Sequence, residues 1–107
     1  MIFRGAIHEI KATPGARGHE QQGNRYAVVI QSDQFATSLV TIAMTSASAV
    51  PTVYRPEIEF DGQVTRILTD QIYSVDPAVR FGAFKGALEA HELMDLDRAL
   101  MLKLGLF

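Results

Sequence analysis

Two short apolar runs, residues 26–30 and 39–44, constrain this chain more than any other feature, because only Thr41 interrupts them and both are rich in Val and Ile. Runs of that length with no polar face suit strands buried on both sides. The connection between them, residues 33–38, is short and polar apart from Phe35 and Ala36, which predicts direct antiparallel pairing. In a hairpin centred near Phe35 the numbers of facing residues sum to about 70. That register sets Arg25 opposite Thr45, so a guanidinium and a hydroxyl meet at one end of the sheet.

The rest of the chain supports a sheet. Residues 1–10 mix Ile2, Phe3, Ile7 and Ile10 with polar neighbours and suit a first strand. Pro51 and Pro56 confine residues 52–60 to an edge strand or a broken one, since proline cannot donate to a ladder. Asp61-Gly62 marks a tight turn, residues 63–75 read as one long strand or two short ones, and Asp76-Pro77 stops them. Residues 81–88 add a last strand. From Ala90 the period changes: Leu93, Leu96, Leu100 and Leu104 fall at helical spacing, with Asp95, Asp97, Arg98 and Lys103 largely on the other side. The expectation is a mainly β (β+α) fold with a C-terminal amphipathic helix ending near Gly105. At 107 residues the chain has room for one modest core, hence one domain over 1–107.

Composition narrows the chemistry. With 48% hydrophobic and 21% charged residues the chain is expected to fold. No apolar run approaches the roughly 18 residues of a membrane span, and no signal-peptide pattern is present, which makes the cytoplasm the expected compartment. The absence of cysteine excludes disulfides, thiolate zinc sites and cysteine nucleophiles together. A net charge of −2 gives no general attraction to a polyanion, but Arg4, Lys11, Arg17 and Arg25 gather in the first third and Glu89, Glu92, Asp95 and Asp97 near the end. His91-Glu92 lacks the second histidine of a zinc helix, with Asp95 in its place, so no metal or other cofactor is expected. His8 and His91 read as structural, and Asp95/Asp97 as a solvated face.

The candidate site lies elsewhere. Residues 11–24 hold Pro14, Gly15, Gly18 and Gly23 among polar side chains, which describes a long loop, and loops that long in small domains commonly carry function. Arg25 follows it directly. Arginine stays charged at any relevant pH and its planar fork pairs with two phosphate oxygens.

The ordered string Arg4-Gly5, then Gly18-His19-Glu20-Gln21-Gln22-Gly23-Asn24-Arg25 before an apolar strand, then Gln31-Ser32-Asp33, Thr45-Ser46 and Asp70-Gln71-Ile72, resembles the MazF/PemK family of toxins over nearly the whole chain. The resemblance implies an SH3-like or CcdB-like barrel, a homodimer, and a groove that admits single-stranded RNA and is also filled by a cognate antitoxin. It implies cleavage by ribose 2′-OH attack without metal, leaving 2′,3′-cyclic phosphate and 5′-hydroxyl ends. Arg25 and Thr45 would be catalytic. Glu20, Gln21, Ser46 and Gln71 would contact the substrate.

This sequence departs from the family pattern at four places. Ala6 replaces the carboxylate after Arg-Gly, His19 replaces a serine, Tyr26 a proline, and Tyr73 an arginine. His19 is a candidate for proton transfer because a histidine titrates in the useful range. Tyr73 is a candidate base-stacking platform. Two other functions stay open at this level: a CcdB-like gyrase-binding toxin, although the chain has no tryptophan, and a catalytically silent homologue that only binds an antitoxin.

Overall fold

The computed structural model describes residues 2–11 and 25–106. The strands are β1 (Ala6–Ile10), β2 (Arg25–Val29), β3 (Val40–Ser46), β4 (Glu57–Phe60), β5 (Gln63–Val75) and β6 (Phe81–Ala87), with a one-turn helix α1 (Pro77–Arg80) and a long α2 (Ala90–Leu104). All pairings are antiparallel, in the order β4-β5-β3-β2-β1-β6. The sheet curls into a half-barrel. Its two edges approach one another, for a Cβ added at Gly86 of β6 would sit 3.9 Å from the Phe60 ring of β4.

The apolar runs are central strands, as their composition requires. Alternate residues feed two cores. Ile10, Ala27, Val29, Val40, Ile42, Met44 and Leu68 face one side, with Phe3, Tyr73 and Phe81 packed over them. Ile7, Val28, Ala43, Ile58 and Ile67 face the other, where Leu96 of α2 covers them. A period-two pattern has no free side here because both faces are occupied.

β4 is an edge strand, and Asp61 (φ 54°) and Gly62 (φ 74°) form the two-residue turn that returns the chain from Phe60 to its partner Gln63. Two positive φ values in succession define the turn whose twist matches a hairpin. Residues 63–75 form one strand with a break in register: Ala43 faces Ile72, yet its neighbour Met44 faces Leu68. Thr69, Asp70 and Gln71 stand between those partners, and the side chains of Thr69 and Asp70 bond sideways. The Thr69 hydroxyl donates to the Tyr54 carbonyl. Asp70 accepts two hydrogen bonds from Arg55, at 3.2 and 2.7 Å. Those bonds hold the Asp70 carboxyl below its usual range against the opposing effect of burial, and they raise Arg55.

Two sequence expectations change here. β1 starts at Ala6 because Gly5 adopts φ 91°, a left-handed turn that ends any strand running from residue 1. Arg4 braces that turn, its backbone N–H donating to Asp33, its guanidinium donating to the Ile30 carbonyl at 3.0 Å and pairing with Asp97 at 2.8 Å. On α2, Leu96 is buried and Leu93 and Leu100 are half-buried, but Leu104 is about half exposed, beyond the reach of the sheet. Glu92 is buried instead. Its carboxylate accepts from Glu89 N–H and Glu59 N–H, each at 2.9 Å, closing the first turn of the helix and tying it to β4. The helix ends at Gly105 in the left-handed conformation, as expected.

Candidate active site

The β2–β3 register is one residue away from the sequence expectation. Ala27 faces Met44, Val28 faces Ala43 and Val29 faces Ile42, so facing numbers sum to 71. The connection explains the shift. Gln31 N–H joins Ile30 N–H in donating to the Thr41 carbonyl, while the Gln31 side chain accepts from Thr41 N–H and donates to the Phe35 carbonyl and the Thr37 hydroxyl. The glutamine amide thereby substitutes for backbone pairs and fixes a longer turn. Extended to the strand ends, this register puts Ser46 opposite Arg25 and Thr45 opposite Tyr26.

The pleat alone would send Arg25 and Thr45 to opposite faces. At the end of the sheet they nevertheless border one cleft of about 410 Å³. Arg25 is exposed at it. Thr45 is 4% exposed and its hydroxyl donates to the Tyr26 carbonyl at 3.0 Å. Ser46 and Ser48 lie 3.3 Å apart, oxygen to oxygen, and line the same wall. The opposite wall comes from the β4–β5 hairpin: Phe60, Asp61, Gln63 and Thr65. Phe60 meets Tyr26 edge to face, with ring centroids 5.0 Å apart.

Two arginines hold the floor of this cleft in place. Ala47 and Ser48 begin the segment that links β3 to β4, and further along it the Ala49 carbonyl accepts from Arg66 at 3.3 Å and the Val50 carbonyl from Arg55 at 3.1 Å. Arg66 also pairs with Glu57 at 2.6 Å.

Electrostatics separate this cleft from two others. One, of about 460 Å³, is lined by Ile2, Phe3, Val29, Phe35, Val40 and neighbours, and Asp33 is its one charged lining residue. Another, of about 560 Å³, gathers Glu57, Glu59, Glu89 and Glu92 beside His91. Carboxylates there repel a phosphate. The Arg25 cleft combines a cation with hydroxyls and half-buried aromatic rings, and Asp61 is its one carboxylate lining residue. Among the described residues there is no group of three or more His, Cys, Asp or Glu that could hold a metal ion.

The structure thus brings Arg25, Thr45 and Ser46 together. It does not bring Gln71 or Tyr73 to the cleft: Gln71 lies in the β5 irregularity, and Tyr73 faces Ile42 with its ring packed over the first core. His19, Glu20 and Gln21 lie outside the described residues. Sequence reasoning missed Ser48, Phe60, Asp61, Gln63 and Thr65. Only the Asp61-Gly62 turn was legible there, and nothing in it signals that closure of the half-barrel carries the hairpin to Arg25.

The sequence profile of PemK-like, MazF-like toxins of type II toxin-antitoxin systems matches residues 3–104. The chain belongs to the PemK/MazF-like toxin family. A candidate toxin of Mycobacterium tuberculosis, Rv3098A, is 40% identical to this member over 106 residues, spanning 99% of this chain and 100% of its own. Among solved structures, MazF of Deinococcus radiodurans has the same fold, with a TM-score of 0.82 at 24% identity over 97% of this chain and 96% of its own. A mycobacterial endoribonuclease in complex with its cognate antitoxin matches with a TM-score of 0.80 at 14% identity, covering 100% and 98% of the two chains. PemK/MazF toxins are known endoribonucleases. No described helix of this member is long and apolar enough to cross a membrane.

Proposed function

We propose that this toxin cleaves single-stranded RNA at the Arg25 cleft without a metal ion, from one functional unit spanning residues 1–107. The observation that carries the reading is the convergence of a permanent cation with three hydroxyls, those of Thr45, Ser46 and Ser48, on a cleft already flanked by aromatic rings. In this reaction the ribose 2′-oxygen attacks phosphorus, the bond to the 5′-oxygen breaks, one proton leaves the 2′-OH and another reaches the departing oxygen. Charge builds on the phosphoryl oxygens in between. Arg25 meets that charge with two N–H donors, and the Ser46 hydroxyl beside it adds a third. Thr45 joins when its O–H turns from the Tyr26 carbonyl to donate to a phosphate oxygen, exchanging one acceptor for another.

Proton transfer falls to His19, and Glu20 and Gln21 contact the substrate, on the strength of their place in the motif before Arg25. Gln71 and Tyr73 contact an RNA that extends past the cleft. The products are a 2′,3′-cyclic phosphate and a 5′-hydroxyl. The protein acts in the cytoplasm as a homodimer and is silenced by a cognate antitoxin, as the relative solved with its antitoxin is bound by one.

The test is purified protein with mixed RNA in EDTA, followed by sequencing of new 5′-hydroxyl ends. Ends that form in EDTA and disappear with Arg25→Ala support the reading. Their absence from the wild type, or their persistence in the variant, rejects it. A toxin that acts by binding gyrase, or one that only binds an antitoxin, leaves the RNA intact.

A further inference from the structure

The cleft contains more than a phosphate site. Tyr26 follows Arg25 directly on β2, and Phe60 ends β4 on the facing wall; both residues are half-buried and both line the cleft. Their edge-to-face contact, 5.0 Å between centroids at 70°, sets the two ring planes as adjacent sides of a corner. The corner is rigid. Tyr26 and Phe60 rest on the second core, and the turn after Phe60 is fixed by successive positive φ values at Asp61 and Gly62. Beyond the rings the rim is polar, with the exposed Asp61 and Gln63.

A planar aromatic ligand joined to an anion fits these features, because a preset aromatic face beside a cation is how proteins hold a base and its phosphate together. Tyr73, which packs against the first core, does not line this cleft. We propose that Tyr26 and Phe60 form a nucleobase subsite, in which a base next to the Arg25-bound phosphate stacks in their corner with its hydrogen-bonding edge toward Asp61 and Gln63. The subsite rests on the reading of the cleft as a nucleic-acid site. Stacking favours any base, so Phe60 supplies affinity, whereas the Asp61–Gln63 rim distinguishes among bases.

The experiment uses 2′-deoxy trinucleotides, which lack the nucleophile and so report binding alone. Titration followed by NMR is expected to shift the ring protons of Tyr26 and Phe60. Phe60→Leu keeps an apolar side chain against the core and removes the aromatic face; it is expected to weaken binding about tenfold, with melting temperature checked in parallel. Phe60→Tyr restores the ring and is expected to restore binding. Equal affinity of wild type and Phe60→Leu, or Tyr26 and Phe60 resonances that stay in place as the ligand binds, overturns the subsite. If RNA cleavage depends on Arg25 but neither cleavage nor binding responds to Phe60→Leu, the subsite fails and the nuclease stands. If the trinucleotides bind with the expected ring shifts and RNA stays intact, the subsite stands and the nuclease fails.

Discussion

Arg25, at the start of β2, and Arg55, in the segment before β4, belong to the same curled sheet and serve opposite ends. Arg55 is gripped by both oxygens of Asp70 and by the Val50 carbonyl, with its side chain and that of Asp70 each 20% exposed. Arg25 stands exposed at the start of β2, on a cleft it lines together with Thr45, Ser46, Ser48 and Asp61. The contrast shows that an arginine's role follows from its exposure and from the groups that hold it. A guanidinium held by both oxygens of an acid organises the chain, and one exposed on a cleft can receive a phosphate.

Substitution can break this contrast. Arg25→Ala is expected to lower the cleavage rate by on the order of 10²–10³ while leaving the melting temperature close to wild type, read from product formation and a thermal melt on one preparation. A large loss of stability would place Arg25 with Arg55. Asp70→Ala should do the reverse, costing about 2–3 kcal/mol because Arg55 keeps its charge and loses its partner, and lowering the melting temperature by roughly 10 °C or more. Should Asp70→Ala melt like the wild type, the pair is ornamental and the comparison fails.

Acid sharpens the same point. Asp70 titrates lower in the folded protein than in the unfolded chain, so the unfolded chain gains its proton first as pH falls. The stabilisation is therefore whole above the unfolded carboxylate value of about 3.9 and fades as pH drops through the lower folded value. Chemical melts of wild type and Asp70→Asn should differ most near neutrality and converge in acid. The smallest effect is expected from Gly62→Ala, where open space surrounds the added methyl but φ 74° strains it by about 1 kcal/mol. A denaturant midpoint would register that cost, with activity reduced only as far as the hairpin wall shifts.

Much of this fold could be read from residue order. Strand content, the edge position of residues 57–60, the turn at Asp61-Gly62 and the terminal helix all follow from local rules of period, proline and glycine. The hairpin register was off by one because a side chain, Gln31, takes over backbone bonds in the turn, and no local rule counts that. Glu92 counts in the sequence only as one more acid near the end of the chain, and its burial follows from the helix landing on β4. The cleft was half legible. Arg25, Thr45 and Ser46 lie on neighbouring strands and could be joined by counting, whereas Phe60 and Gln63 arrive through closure of the whole sheet, a long-range event without a signature in any short window.

The bond from Glu59 to Glu92 bears on how this protein stays in solution. β4 borders the sheet, and an outward amide on such a border invites a strand from another chain. At Glu59 the amide is already spoken for by the helix carboxylate, and that carboxylate would repel any incoming acidic segment. The first turn of α2 acts as a stopper on the seam where uncontrolled polymerisation would otherwise begin.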